Sequence, residues 1–300
     1  MDGLHISLFG KFTVWCGEDN RKLETQKAEE LLAYLLVYRV RSHFREKLAT
    51  MLWPNSTPSQ SRRYLSQTLW QLQSSLDEEN RLLHLESDWI RIDDSADFWL
   101  DVAFFEAAFE GAQGLPGGQL NEAQVAALRE AASLYQADLL ENWYQDWCLF
   151  ERERLQNMYL AMLGKLIGYH EALEQYEACI TYASNILRCD HAHERTYRRL
   201  MRIYYLSGDR CGALRTYERC AAALEEGLGV CPSQRTVSLL ELIRAGRRPD
   251  SPVPAKSVDN AASVGGKLGR LLRLRHTLRE AQQQLDKEIE SVQLNLQERS

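Results

Sequence analysis

The spacing of the apolar residues changes along this chain, and these changes constrain its fold more than any other feature. Over residues 1–97, segments in which apolar and polar residues alternate, as in strands, occur together with segments whose apolar residues are three or four positions apart, as in helices. From Glu122 to about Gly246 only helical spacing remains, and residues 267–299 then follow a heptad pattern. The sequence therefore predicts an α+β domain over 1–97, an all-α domain over 98–246 and a coiled coil.

The α+β pattern has a definite order. Residues 4–15 alternate and are interrupted at Gly10-Lys11, which predicts a hairpin. Helical spacing follows in three segments, at residues 26–38, around 45–52 and from about 59 to 76, with Ser59 as the expected N-cap of the third. A terminal hairpin is predicted at residues 82–92. Strands, three helices and a hairpin wing are the order of a winged helix.

The all-α segment contains an internal repeat. Residues 171–177 resemble residues 212–218 with a shift of 41 positions, and a small Ala and the larger Leu and Tyr recur at the same phase. This pattern is typical of stacked helical hairpins of the tetratricopeptide type. The shift exceeds the usual period of about 34 residues, so a longer hairpin or loop is expected.

The carboxy-terminal part differs in character. Residues 247–266 are rich in Pro, Ser, Asn and Gly, which predicts a flexible linker. Residues 267–300 predict one long helix whose apolar seam has a stutter near Leu285. A lone helix would expose that seam, so a homodimer is the simplest expectation, with docking onto another protein or back onto this chain as the alternatives. The seam residues are Leu271, Leu274, Leu278, Leu285, Ile289, Val292 and Leu296.

Composition and motifs argue against several classes of protein. The chain has 45% hydrophobic and 26% charged residues, and it contains neither a signal peptide pattern nor the run of about 20 apolar residues that spans a membrane. We therefore expect a cytoplasmic protein without a membrane segment. Seven scattered cysteines without a C-x-x-C pair predict free thiols. Neither a nucleophile motif nor a phosphate-binding loop is present, and His191 and His193 fit a turn better than a metal site, so we expect no enzyme activity, no cofactor and no metal.

The most specific stretch of the chain is residues 134–155. It contains Tyr135, Asp138, Leu139, Leu140, Asp146, Trp147, Glu151 and Arg152. Further matching segments are residues 101–106, 200–209, 213–219 and 224–233, with 8–10 and 48–54 nearer the amino terminus. Together they resemble the SARP family of bacterial regulators, which combine an OmpR-like winged helix with a bacterial transcriptional activator domain. The resemblance covers about residues 4–245 and does not include the coiled coil.

The resemblance implies a DNA-binding transcriptional activator. Its winged helix would bind double-stranded DNA near a promoter, and it would activate transcription by contact with RNA polymerase. The helical domain would support contacts with partners and between copies of the chain. No nucleotide-binding motif of the form G-x-x-x-x-G-K-[ST] accompanies it in this sequence.

The third predicted helix carries the candidate base contacts. Leu65, Leu69, Leu72 and Leu76 form one apolar stripe, so the opposite side of the helix is free to face DNA. The residues expected there are Arg63, Ser66, Gln67 and Trp70, with Arg62 on a flank. Arg prefers guanine and Gln prefers adenine in the major groove, which makes Arg63 and Gln67 the best candidates. Trp70 fits either a thymine methyl group or a protein contact.

Charge bears on how DNA would be held. Candidate phosphate contacts are Arg41, His43, Arg45 and Lys47 around the second helix, and Arg91 in the wing. Residues 1–100 nevertheless contain 12 basic and 15 acidic residues, and the whole chain has a net charge of −6. Because DNA-binding domains normally carry a positive excess, an adaptor or assembly subunit that has lost DNA binding is the alternative function.

Two further groups of residues have alternative interpretations. Trp143, Tyr144 and Trp147 are expected to pack in a core or between domains rather than to form a ligand cage. A basic run in the long helix fits a solvated flank, or else a contact with DNA or an acidic partner. Its members are Lys267, Arg270, Arg273, Arg275 and Arg279.

Overall fold

Two small sheets organise the amino-terminal part of the computed structural model, which describes residues 4–76, 82–93 and 95–247. The strands are β1 (Leu4–Ser7), β2 (Thr13–Cys16), β3 (Asp19–Asn20), β4 (His43–Phe44), β5 (Leu83–Leu85), β6 (Trp89–Ile92) and β7 (Phe98–Leu100). One sheet has the order β3-β2-β1-β7 and the other has the order β4-β6-β5. Both predicted hairpins, β1–β2 and β5–β6, are confirmed as antiparallel pairs.

The last strand was not predicted. β7 runs parallel to β1, with Ile6 opposite Leu100, and so returns the chain to the first sheet after the second sheet is complete. Parallel partners need a long connection, which here contains β2 and β3, three helices and the whole second sheet. The predicted domain boundary between residues 97 and 98 therefore falls just before a strand of the first sheet.

Three helices pack between and beside these sheets. They are α1 (Gln26–Val37), α2 (Arg45–Leu52) and α3 (Pro58–Leu76). Residues 31–37 of α1 are all buried, and the predicted apolar stripe of α3 is buried as well. These leucines contribute to a hydrophobic core that continues without a break into the helices that follow.

The predicted N-cap of α3 is wrong by two residues. The helix begins at Pro58, and the cap is formed by Thr57 and Gln60. The Gln60 amide donates to the Thr57 hydroxyl oxygen at 3.4 Å, and the Thr57 amide donates to the Gln60 side-chain oxygen at 3.2 Å. Pro at the first helical position has no N–H that would need a partner, so Thr57 is the better start than Ser59.

The rest of the described chain is a helical repeat-like domain. Its helices are α4 (Asp101–Gly111), α5 (Glu122–Leu134), α6 (Asp146–Ala172), α7 (Tyr176–Cys189), α8 (Glu194–Leu206), α9 (Arg210–Leu228) and α10 (Gln234–Arg244). The loop before α5 lies against α6, where a Cβ on Gly117 would be 2.2 Å from the Lys165 carbonyl oxygen. Glycine is therefore needed there because of close backbone approach.

The internal repeat has a different register from the one predicted. Residues 171–177 span the end of α6, a turn and the start of α7, whereas residues 212–218 lie within α9. The equivalent helices are α7 and α9, which begin 34 residues apart at Tyr176 and Arg210. In that register Cys179 and Ala213 coincide, and both are completely buried. The letters that match at a shift of 41 do not occupy equivalent structural positions.

The α+β region (residues 4–100) and the helical region (residues 101–244) are connected by main-chain hydrogen bonds. Residues 138–141, which we call the joint segment, lie beside the turn of the first hairpin. The Gly10 amide donates to the Asp138 carbonyl at 2.8 Å, and the Leu140 amide donates to the Leu8 carbonyl at 2.8 Å. The joint segment thus extends the end of β1, and the described residues up to Ala245 belong to one compact unit.

Asp101 completes this connection from the other side. Its Oδ2 accepts hydrogen bonds from the amides of Leu8 and Phe9, at 2.7 and 2.9 Å, and its Oδ1 accepts from the Val102 amide at 2.7 Å. The carboxylate is only 3% exposed. Burial raises the pKa of Asp101, while the three N–H bonds oppose that shift by stabilising the charged form.

Arg152 stabilises the conformation of the joint segment and of the residues that follow it. Its guanidinium donates to the carbonyls of Leu139, Leu140 and Trp143 at 2.8–3.1 Å. Leu140 and Asn142 have φ angles of 48° and 68°, a left-handed conformation that side chains other than glycine adopt at a cost. The guanidinium therefore satisfies the carbonyls of a segment whose backbone is strained. The predicted linker and coiled coil lie outside the described residues, apart from residue 247.

Asp101→Asn should lower the free energy of unfolding by about 2 kcal/mol, because the new amide group cannot accept from N–H donors on both sides of the side chain. At least one buried amide would lose its acceptor. The measurement is urea unfolding of the full chain, with Asp97→Asn at an exposed position as the matched control. Equal stability of the two variants would contradict the role given to Asp101.

Candidate nucleic-acid interface

α3 separates an apolar side from a polar one. Arg62, Arg63, Ser66, Gln67 and Trp70 are all exposed, and Trp70 is the most notable because 67% of this large apolar side chain is accessible. The buried leucines hold the helix against α1 and α2, so the polar side is presented outward by the packing itself. The five residues predicted to face DNA thus share one surface.

The polar residues of α3 differ in what they already bind. The Arg62 Nε donates to the Pro58 carbonyl at 3.1 Å, and the Ser66 hydroxyl donates to the Arg62 carbonyl at 3.0 Å. Within the part of the chain that the structure describes, the side chains of Arg63 and Gln67 have no hydrogen bond or ion pair. These two therefore keep all their donors for a ligand.

The cations around α2 lie beside this surface. The Arg45 guanidinium donates to the Ser66 hydroxyl at 3.4 Å, which connects α2 to α3. Arg41 and Lys47 line a small cleft of about 250 Å³, together with Ser42 and Trp89. Three of the predicted phosphate contacts are thus grouped near the amino-terminal end of α2.

His43 is not available for a phosphate, and that prediction is wrong. Its side chain is buried, and its Nε2 lies 3.1 Å from the Tyr38 carbonyl oxygen. Burial lowers the pKa of His43. The bond to Tyr38 opposes this shift, and the charges of Arg41 and Lys47 add to it. The basic neighbours of His43 in the sequence predict a phosphate contact, but the pairing of β4 with β6 buries the side chain in the protein.

Arg91 lies on the hairpin in mixed electrostatic surroundings. It stands opposite His84 across β5 and β6, and the His84 Nε2 is 3.3 Å from Glu86. Hydrogen bonds from Ser95, followed by the charges of Arg91 and His84, lower the pKa of Asp93. Carboxylates therefore accompany the predicted wing contact, which makes it a weaker anion site than the α2 cluster.

An exposed aromatic pair was missed by the sequence reasoning. Phe44 and Trp89 are paired residues of β4 and β6, their ring centroids are 5.4 Å apart, and they are 40% and 46% exposed. Only the alternation of Trp89 with the inward Ile90 hinted at an outward ring. β4 has two residues, which is too short for an alternating pattern to reveal.

The tryptophans after the joint segment pack between the two regions, as predicted. Trp143 lies 6.3 Å from Phe12, and Trp147 lies 5.3 Å from Tyr34, measured between ring centroids. Tyr144 does not join them and is 75% exposed. The aromatic cluster is therefore a contact between regions made by two of its three members.

The described residues contain neither a candidate metal site nor a candidate membrane span. Across residues 4–76, 82–93 and 95–247, no three His, Cys, Asp or Glu side chains come together as metal ligands. His193 instead bonds through Nδ1 to the Thr196 hydroxyl at 2.8 Å. None of the helices in these ranges is both long and apolar enough to cross a membrane.

The chain is similar to known proteins both in sequence and in structure. Residues 100–244 match the family model of the bacterial transcriptional activator domain. The solved structure of Mycobacterium tuberculosis EmbR in complex with a low affinity phosphopeptide superimposes with a TM-score of 0.60 at 20% identity. The alignment covers 81% of this chain and 65% of that chain. No curated protein sequence matches the chain.

Acidification should destabilise the protein through His43. The unfolded side chain binds a proton near pH 6.5, and the buried one does so only at lower pH, so this contribution is present above about 6.5 and is lost as pH falls below it. Unfolding free energies at about pH 7.5 and 5.5 measure the loss, and His43→Gln should reduce it. His191→Gln, at an exposed position, is the control. An undiminished loss in His43→Gln would assign the pH dependence elsewhere.

Proposed function

We propose that the α+β region is a winged helix that binds double-stranded DNA. The match of residues 100–244 to the bacterial transcriptional activator domain, together with the structural similarity to EmbR, supports a SARP-like transcriptional regulator. In this proposal α3 enters the major groove and the β5–β6 hairpin is the wing. The helical region contacts RNA polymerase or another protein partner and so activates transcription. Such a protein works in the bacterial cytoplasm, where its DNA is.

The free side chains of Arg63 and Gln67 on α3 carry the proposal. Both project from the side opposite the buried leucines, and within residues 4–76, 82–93 and 95–247 neither has a partner to give up on binding. The Arg guanidinium matches the two acceptors of guanine, and the Gln amide matches the donor and acceptor of adenine. Arg62 and Ser66, already bonded to backbone carbonyls, are better suited to contacts at the edge of the groove.

Phosphate contacts come from the cations around α2 in this proposal. Arg41 and Lys47 line one cleft and Arg45 contacts α3, so that a DNA strand bordering the groove would pass over them. Arg91 on the hairpin would add a weaker contact because Asp93 lies in its field. The acidic excess of residues 1–100 makes binding by one copy weak and strongly dependent on salt.

Dimerisation would compensate for weak binding by a single copy. Two linked copies bind neighbouring half-sites with an affinity far above that of either alone. The predicted seam of residues 267–300 is the proposed contact between the copies, and an operator with two half-sites is the expected target.

Trp70 favours a second candidate function, that of a protein-interaction adaptor. A tryptophan that is 67% exposed and is followed by the uncharged residues 71–76 at the end of α3 is typical of a protein-binding residue. In this alternative α3 holds a protein partner and not DNA. The acidic character of the α+β region supports it as well.

Arg63→Ala should weaken binding to a selected DNA site by about 1–3 kcal/mol and relax the preference at one base pair. The site comes from a pool of randomised duplexes incubated with the full chain at low salt, and affinities come from gel-shift titration. Arg129→Ala, an exposed arginine on α5, is the matched control.

The same experiment separates the two functions. If the full chain selects no DNA at low salt, and a single protein is recovered whose binding needs Trp70, the adaptor function replaces DNA binding. Selection of a site that Arg63→Ala and Arg129→Ala bind equally well would reject Arg63 as a base contact.

A further inference from the structure

Trp147, near the start of α6, packs against the end of α1. Its ring meets that of Tyr34 at 5.3 Å and 90°, and that of Tyr38 at 6.4 Å and 60°. The indole N–H is buried and has no acceptor among the described residues. The ring is therefore held by packing alone, and it in turn fixes the positions of both tyrosines.

The same two tyrosines hold Arg41. The guanidinium carbon of Arg41 lies 4.4 Å from the centre of the Tyr38 ring, and its Nη2 donates to the Tyr34 hydroxyl at 3.4 Å. Arg41 otherwise lies in the exposed turn between α1 and β4. A cation stacked on a ring and bonded to a hydroxyl loses less freedom on binding an anion than a free arginine does.

A second contact from α6 reaches the same place. Tyr38 and Glu151, one turn beyond Trp147 on α6, line one cleft, and burial followed by the carboxylate of Glu151 raises the pKa of the Tyr38 hydroxyl. The carboxylate of Glu151 also accepts from Arg154, which is ion-paired to Glu106 on α4. Tyr38 thus contacts the helical region through its ring, and its hydroxyl lies in the field of a carboxylate from the same helix.

Arg41 and Lys47 line the same cleft. Both charges contribute to the lowered pKa of His43, whose ring lies 5.3 Å from that of Tyr34. A phosphate oxygen held here would be shared by the two cations. The contact requires that the Arg41 guanidinium stay above Tyr38, and so depends on Trp147.

We infer that Trp147 is a positioning residue for DNA binding: through Tyr34 and Tyr38 it sets the place of Arg41, so the helical region determines one phosphate contact of the α+β region. The inference rests on the proposed function. It gives the aromatic contact between the regions a role beyond stability. Trp147 and Arg41 both contact Tyr34 and Tyr38, so these two side chains alone separate them.

The test measures how DNA binding depends on salt. The probe is a random-sequence duplex of about 30 base pairs, since phosphate contacts do not depend on sequence. Removing one phosphate contact reduces the slope of log affinity against log salt by about one. Arg41→Ala should give this reduction, Trp147→Leu should give the same, and the double variant should give no more.

Two matched variants distinguish positioning from general stability. Trp147→Phe keeps a ring against the tyrosines and has no hydrogen bond to lose, so it should restore the wild-type slope. Phe150→Ala removes an exposed ring from the same helix and should leave the slope unchanged. Should Trp147→Leu not fold, Trp147→Met, which fills more of the space without a flat ring, takes its place with the same expectation.

A second measurement needs no DNA. In the wild type, the Arg41 side-chain protons above the Tyr38 ring carry a ring-current shift in the NMR spectrum, and Trp147→Leu should abolish it. If the wild type fails to bind any duplex while this shift is lost as expected, the proposed function is wrong and the positioning stands. An unchanged shift, or slope reductions that add in the double variant, would overturn the inference.

Discussion

The polar main-chain groups of residues 8–10 must find partners at the place where the α+β region meets the helices. A strand end buried there would be unstable with free N–H and C=O groups. Asp101 accepts from the amides of Leu8 and Phe9, and the joint segment supplies the antiparallel backbone on the other side. The packing of the first sheet against the helical region depends on this exchange of hydrogen bonds.

The residues that satisfy this constraint belong to the most specific stretch of the sequence. Residues 134–155 contain the joint segment, the arginine that binds its carbonyls, and the tryptophan that packs on α1. Tyr135 adds a hydrogen bond from its hydroxyl to Asp138 at 2.9 Å. The residues that mark the activator domain in the sequence are therefore, to a large extent, those that attach it to the preceding region.

Periodicity predicted what depends on neighbours along the chain and missed what depends on distant ones. The leucine stripe of α3 and both hairpins followed from spacing, because each is a local pattern. The parallel pairing of β7 joins residues more than 90 positions apart, and three residues carry too little pattern to predict it. The repeat register predicted from matching letters is wrong because those letters lie at different positions relative to the starts of α7 and α9. The inward orientation of His43 depends on strand pairing and on the Tyr38 carbonyl, neither of which polarity reveals.

A connection made of main-chain hydrogen bonds and stacked rings leaves little freedom for rotation between the two regions. If α3 binds DNA as proposed, the direction in which the helices project is tied to the helical phase of that DNA. Since DNA turns once in about 10 base pairs, moving a binding site by about five would turn the helical region to the opposite side of the duplex. An RNA polymerase bound at a fixed promoter would then contact the helical region at one distance between site and promoter, and would not contact it when the site is moved by half a turn.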